Sequence, residues 1–132
     1  MMRYLGLGML ALLLGVAWAG AQMPAGASPA QVAVTYYEIC GQVPLNMAAL
    51  NAMRSRPALE ADRKLAPSTL QARAGVLTAV GGHGSLREVR VLKSQVTGDR
   101  ATVSVMLSYQ KLKPNTLEIA LMKEDGVWKV AD

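Results

Sequence analysis

Phenylalanine is absent from this chain, and cysteine and histidine occur once each, as Cys40 and His83. One thiol closes no internal disulfide, so the fold has to hold by packing alone. One His, one Cys and scattered carboxylates make no ligand set at a metal-binding spacing. A catalytic thiolate wants a nearby His or a helix N-terminus, and no spacing rule brings His83 to Cys40. Charged residues make up 17% of the chain, 14 Lys/Arg against 9 Asp/Glu. That modest excess, with no aromatics interleaved among the basic residues, argues against nucleic acid as a partner. Gly81-Gly82-His83-Gly84 lacks the Lys and Ser/Thr of a phosphate cradle, so it reads as a glycine-rich connection and no cofactor is expected.

What is present begins with a leader. Met1-Met2-Arg3-Tyr4 is basic, Leu5 to Trp18 is apolar, and Ala19-Gly20-Ala21 has the small-x-small form of a cleavage site. This pattern predicts a signal peptide over 1–21, removed before Gln22, and a protein that works in the periplasm or outside the cell. An uncleaved membrane anchor is the alternative, but the apolar run is short for a bilayer span and ends in a processing site. Residues 22–27 read as a flexible leader and 28–132 as one small domain with one core. Leu, Val, Ala and Met dominate its apolar content, which is not the composition of a disordered chain.

The helices come first. Ser28-Pro29-Ala30-Gln31 has the form of a capping box with Pro at the first helical position. Val32, Tyr36, Ile39, Cys40 and Val43 then recur at helical spacing, until Gly41 and Pro44 end the element. Cys40 on that stripe reads as a buried packing thiol, with an intermolecular disulfide as the alternative. A second helical stretch spans Asn46 to Ser55, with Met47, Leu50 and Met53 on one side; Pro57 interrupts it, and Ala58 to Lys64 adds a turn or two. Ser68 is the expected cap of a third helix that runs to Val80, with Leu70, Ala74, Leu77 and Val80 inward and Gln71 and Arg73 outward. Gly81-Gly82 stops it.

A β-meander follows. Leu86 to Val96 changes phase between Val89/Val91 and Leu92/Val96, which predicts a bulge or a strand buried on both faces. Ala101, Val103, Val105, Leu107 and Tyr109 alternate with Thr102, Ser104, Met106, Ser108 and Gln110 in a strand that continues to Lys111. Thr97-Gly98-Asp99-Arg100 and Glu124-Asp125-Gly126 supply hairpin turns on either side of it and of a strand at Thr116 to Met122. Val127 to Val130 closes the sheet. Helices followed by an antiparallel sheet define an α+β domain.

Several stretches resemble a known family. Ser28-Pro29-Ala30-Gln31-Val32-Ala33-Val34-Thr35-Tyr36-Tyr37 resembles the opening helix of the NTF2-like superfamily, the cystatin-like α+β cone. Val96-Thr97-Gly98-Asp99-Arg100-Ala101-Thr102-Val103-Ser104-Val105 is similar to its central hairpin, and Glu124-Asp125-Gly126-Val127-Trp128-Lys129-Val130 to its final one. Within it, the chain resembles most the small secreted DUF4878-type proteins of undefined role. Many of those are lipoproteins, whereas this chain has Gln22 where a lipidated Cys would stand. The resemblance implies N-terminal helices packed on a curved antiparallel sheet of about four strands.

Enzymes of that superfamily place an Asp, His or Tyr inside the cone, where burial shifts a pKa. Tyr36, Tyr37, Glu38, Tyr109 and Glu118 are the candidates, but periodicity turns Glu38 and Glu118 outward and no acid–His pair exists, so no catalytic residue is assigned. The expected function is a non-enzymatic binding or interaction module. Tyr36, Ile39, Tyr109 and Trp128 are its candidate pocket for a small apolar ligand. Met106, Ala120 and Met122, on the second face of the sheet, are a candidate interface for a second copy. A small isomerase- or dehydratase-like enzyme, using Tyr36 or Tyr109 with Glu118, and an accessory in envelope assembly are the alternatives. Arg54, Arg56, Arg63, Lys64 and Arg73 read as a charged, solvated helical face, with an anionic envelope polymer as the competing occupant.

Overall fold

The computed structural model describes residues 26–132. The expected signal peptide and cleavage site, and most of the stretch expected to be a flexible leader, lie outside those residues. Helix α1 covers Pro29–Cys40, α2 Met47–Ala52, α3 Arg56–Asp62 and α4 Pro67–Val80; a 3-10 turn at Gly82–Gly84 leads into the sheet. Strands β1 (Leu86–Thr97), β2 (Arg100–Tyr109), β3 (Asn115–Glu124) and β4 (Val127–Val130) then pair in sequence order, all antiparallel.

Local chemistry sets the helix ends. Ser28 Oγ accepts from the Gln31 amide at 3.1 Å, and Gln31 Oε1 accepts from the Ser28 amide at 2.8 Å, a complete capping box. Asn46 caps α2 through the Ala49 amide. Ser55 caps α3 through the Ala58 amide, so Pro57 opens a helix in its first turn as well as breaking the one before. The expected cap of α4 is corrected by two residues, from Ser68 to Ala66. Pro67 occupies the start of the helix, Ala66 stands at the cap without a side-chain bond, and Ser68 lies inside.

The hairpins follow their sequences. Gly98 alone has positive φ (60°) in the first turn, the type II′ pattern, while Asp125 (51°) and Gly126 (79°) are both positive, the type I′ pattern. The register of β1 on β2 slips between Val91 and Lys93, which places the expected bulge at Leu92.

Val103, Val105 and Leu107 of β2, Ile119 and Leu121 of β3, and Val130 of β4 line one face of the sheet and are buried. Helix α1 crosses that face, touching β1, β2 and β4. It buries Val32, Tyr36, Ile39 and Cys40 against it, each such side chain contributing roughly 1.5–3 kcal/mol. Val43 departs from its expected stripe: the helix has already ended at Gly41, and Val43 is 70% exposed. Helices α2 and α4 pack on α1, and α4 has no fully buried residue.

The free edge of β4 is covered by the chain between α2 and α3. Ser55 donates to the Val130 oxygen and Val130 to the Met53 oxygen, each at 2.8 Å, so Arg54 forms a parallel bridge with Val130. Among the described residues β1 has no neighbour on its outer side.

Candidate functional site: the groove between α1 and β1

Helix α1 shows two faces. One carries Val32, Tyr36, Ile39 and Cys40 into the core. The other, at Ala30, Gln31, Val34, Thr35 and Glu38, also repeats at helical spacing, with small side chains in its first half and a carboxylate at its far end, and Ala27 and Gln42 extend it past the two helix ends. Small side chains leave space between this second face and β1. A cavity of about 560 Å³ lies there, lined by Ala27, Ala30, Gln31, Val34, Thr35 and Val91. It runs into a second of about 260 Å³ that shares Thr35 and adds Glu38, Ile39 and Gln42. A third, of about 250 Å³, shares Glu38 and Gln42 and ends on Leu86, Arg87, Glu88 and Val89. Shared lining residues set the three side by side as a groove beside α1, a helix about 18 Å long at 1.5 Å per residue.

Electrostatics differ between its two ends. Near Val34 and Val91 no charged side chain lines the wall. At the other end stand Glu38, Glu88 and Arg87. Partial burial pushes the Glu38 carboxyl above its usual range, and no cation pairs with it among the described residues. Glu88 has Arg90 at 3.5 Å, an exposed and weak pair.

The residues expected to line a pocket are placed elsewhere. Tyr36, Ile39 and Trp128 belong to the close-packed core. Of these only Ile39 also reaches the groove. Tyr109 is half-buried and its hydroxyl donates to the Val80 oxygen at 2.6 Å. The rings of Tyr36 and Tyr37 meet edge to face, centroids 5.6 Å apart. Burial pushes the Tyr36 phenol up to about 12 and raises that of Tyr37 as well, so both are neutral at ordinary pH.

Glu118 is exposed on the outer face of the sheet, opposite Ser104, while Tyr36 and Tyr109 face the helices. The acid–base set suggested for an enzyme is therefore not brought together. Met106, Ala120 and Met122 do share that outer face, but Met106 pairs with Thr116 and Met122 with Arg100. Met106 and Met122 therefore stand about 20 Å apart along the strands, with two rows between them, Ser104–Glu118 and Thr102–Ala120.

The basic group is corrected in part. Arg54 is buried, not solvated: its guanidinium bonds Asp62, Asn51 Oδ1 and the main-chain oxygen of Asp132. Arg73 turns in to the same Asp62 rather than outward. Hydrogen bonds from Arg54 and Arg73 hold the Asp62 carboxyl below the usual carboxylate range. Arg56 pairs with Asp125 and Arg63 with Glu60 on the surface. No group of three His, Cys, Asp or Glu among the described residues is placed to hold a metal, and no helix among them is long and apolar enough to cross a membrane.

Comparison with known proteins bears on the fold. No family model matches the chain, and none of the curated proteins does. The structure is similar to a protein from Campylobacter jejuni, solved at 2.00 Å and provisionally designated an NTF2-like transpeptidase. The likeness covers 80% of this chain and 99% of that one, at a TM-score of 0.56 and 11% identity. It shows an NTF2-like fold: four helices against a four-stranded antiparallel sheet.

Sequence reasoning missed the groove because it followed the apolar face of α1. The signal was the opposite face, where Ala27, Ala30 and Val34 repeat as small residues over a helix that must lie against a sheet.

Proposed function

We propose that this chain is a non-enzymatic binding module that works outside the cytoplasm and takes an apolar ligand in the groove between α1 and β1. The observation that carries the reading is the groove itself, open along α1 and uncharged over the half lined by Ala30, Val34 and Val91. The location rests on the leader, Arg3 followed by Leu5 to Trp18 and Ala19-Gly20-Ala21. The DUF4878-type likeness, carried by the sequence motifs, agrees with that location.

The provisional transpeptidase name of the structural neighbour suggests a catalytic alternative, which needs an activated nucleophile. Cys40 has the opposite character. It is 2% exposed, and burial pushes its thiol up to about 12. His83 stands on the exposed 3-10 turn and bonds no nucleophile among the described residues.

Titration with an apolar anilinonaphthalene fluorophore tests the reading. Saturable binding to the native chain is expected, and Val34→Glu, with an unchanged circular dichroism spectrum, abolishes it. Binding that is absent, or indifferent to Val34→Glu, overturns the reading. A homodimer through the outer sheet face is a second proposal, favoured by the absence, among the described residues, of any helix over Met106, Ala120 and Met122. Sedimentation at high concentration tests it, and a monomer throughout sinks it.

A further inference from the structure

The groove has two walls of different chemistry. One is a helix face of side chains; the other is the open edge of β1, whose outward main-chain amides and carbonyls have no strand partner among the described residues. Only part of that edge is regular. Register slips between Leu86 and Glu88 and again between Val91 and Lys93 leave Glu88–Val91 as the straight stretch.

The two walls also keep step. Val34 and Val91 line one cavity; Glu38 and Val89 line the third. From Val34 to Glu38 is one helical turn, about 6 Å. From Val91 to Val89 is two strand residues, about 7 Å. An extended chain lying in the groove would thus present side chains i and i+2 to these two positions in turn.

Resting on the groove's being a binding site, we propose that its ligand is an extended peptide segment. It adds as a strand to β1 over Glu88–Val91, with an apolar side chain beside Val34 and Val91 and, two residues on, a Lys or Arg against Glu38. Main-chain bonds from such a segment satisfy an edge that a hydrocarbon ligand would leave to water, and alternate side chains read the walls. Complementary charge selects the second position, because Glu38 has no cation paired with it among the described residues, whereas Glu88 beside it already has Arg90 at 3.5 Å. A second copy's β1 is a poorer occupant of the same edge. An antiparallel pairing centred on Arg90 would set Arg90 against its own copy and Arg87 against Lys93, and the Leu92 bulge bends the edge away from a long pairing.

A phage-displayed random heptapeptide library panned on the immobilised full chain, and in parallel on Glu38→Lys, tests this. Glu38 is exposed, so the variant keeps the fold. The expected result is enrichment of an apolar residue followed two places later by Lys or Arg on the wild type, and by Asp or Glu on Glu38→Lys. A selected peptide should lose affinity about tenfold on the variant of the wrong sign, and should protect the amides of Glu88–Val91 from hydrogen exchange. No enrichment, the same enriched pattern on both proteins, or protection elsewhere overturns the proposal. If the apolar fluorophore still binds and is blocked by Val34→Glu while panning enriches nothing, the peptide inference falls and the groove's role as a binding site stands. If neither binds, both fall.

Discussion

The phenol of Tyr109, at the end of β2, donates to the main-chain oxygen of Val80, in the last turn of α4, across 2.6 Å. Helix ends leave their last carbonyls without partners, so this bond satisfies one of them and ties α4 to the sheet. Tyr109→Phe keeps the ring and removes the donor. A loss of about 1 kcal/mol is expected, with a fall in Tm of roughly 4 °C by thermal circular dichroism. An unchanged Tm would mean that water serves Val80 equally well.

Three glycines separate the effects of space and backbone conformation. Gly75, inside α4, has open space around it, and Gly75→Ala should stabilise the domain by roughly 0.5–1 kcal/mol. Gly98 also has space, but its φ is +60°, so Gly98→Ala should cost about 1 kcal/mol. Gly81 has no room: a methyl there would land on the main-chain oxygen of Cys40, where α4 ends against α1. Gly81→Ala should cost the most, roughly 3 kcal/mol, since backbone and not a flexible side chain must move. Urea denaturation of the three variants gives the order directly, and a cost at Gly81 no greater than at Gly98 would show a looser joint.

Asp62 joins α3 to Arg54 and Arg73. Asp62→Asn leaves the buried Arg54 guanidinium without its counter-charge, a loss of about 3 kcal/mol at neutral pH. The acid limb should change too. The folded-state pKa of Asp62 is depressed, so its contribution is complete above the unfolded-chain value near 4 and is lost as pH falls through the folded value. The variant should therefore show a shallower fall in stability below about pH 4 than the wild type. Parallel slopes would remove Asp62 from the acid response.

Cys40 should be nearly inert to an aromatic disulfide reagent in the native state. Its thiol is buried beneath the α1–α4 joint and held neutral, with a pKa pushed up to about 12. Labelling at least about a hundredfold slower than in denaturant is expected, because only the thiolate reacts. Fast labelling under native conditions would reveal that α4 opens readily.

Where bonds are local, the sequence was a good guide, the cap of α4 excepted, where Ala66 stands in place of Ser68. The Ser28–Gln31 box spans three residues, the Asp125-Gly126 turn two, and the Leu92 bulge showed as a change of phase within one strand. Contacts between distant residues were not readable. Nothing near Arg54 in sequence distinguishes it from the exposed Arg56 and Arg63; its burial depends on Asp132, 78 residues away, and on the course of β4. Tyr36 and Trp128, expected to line a pocket, stand in the close-packed core, and inward residues there fill space rather than line it. The groove arose instead where α1 presents small side chains to a sheet edge, a feature marked by the lack of bulk.

The sheet treats its two edges differently. Met53–Ser55 already occupies the outer side of β4, through the two bonds with Val130, while β1 has no strand partner on its outer side among the described residues. Two copies that met edge to edge could do so only β1 to β1, and their joined sheet would present a sealed β4 at either end. Association by that route terminates at two chains. Protection against runaway fibril growth is thus carried by a short stretch of the helical half.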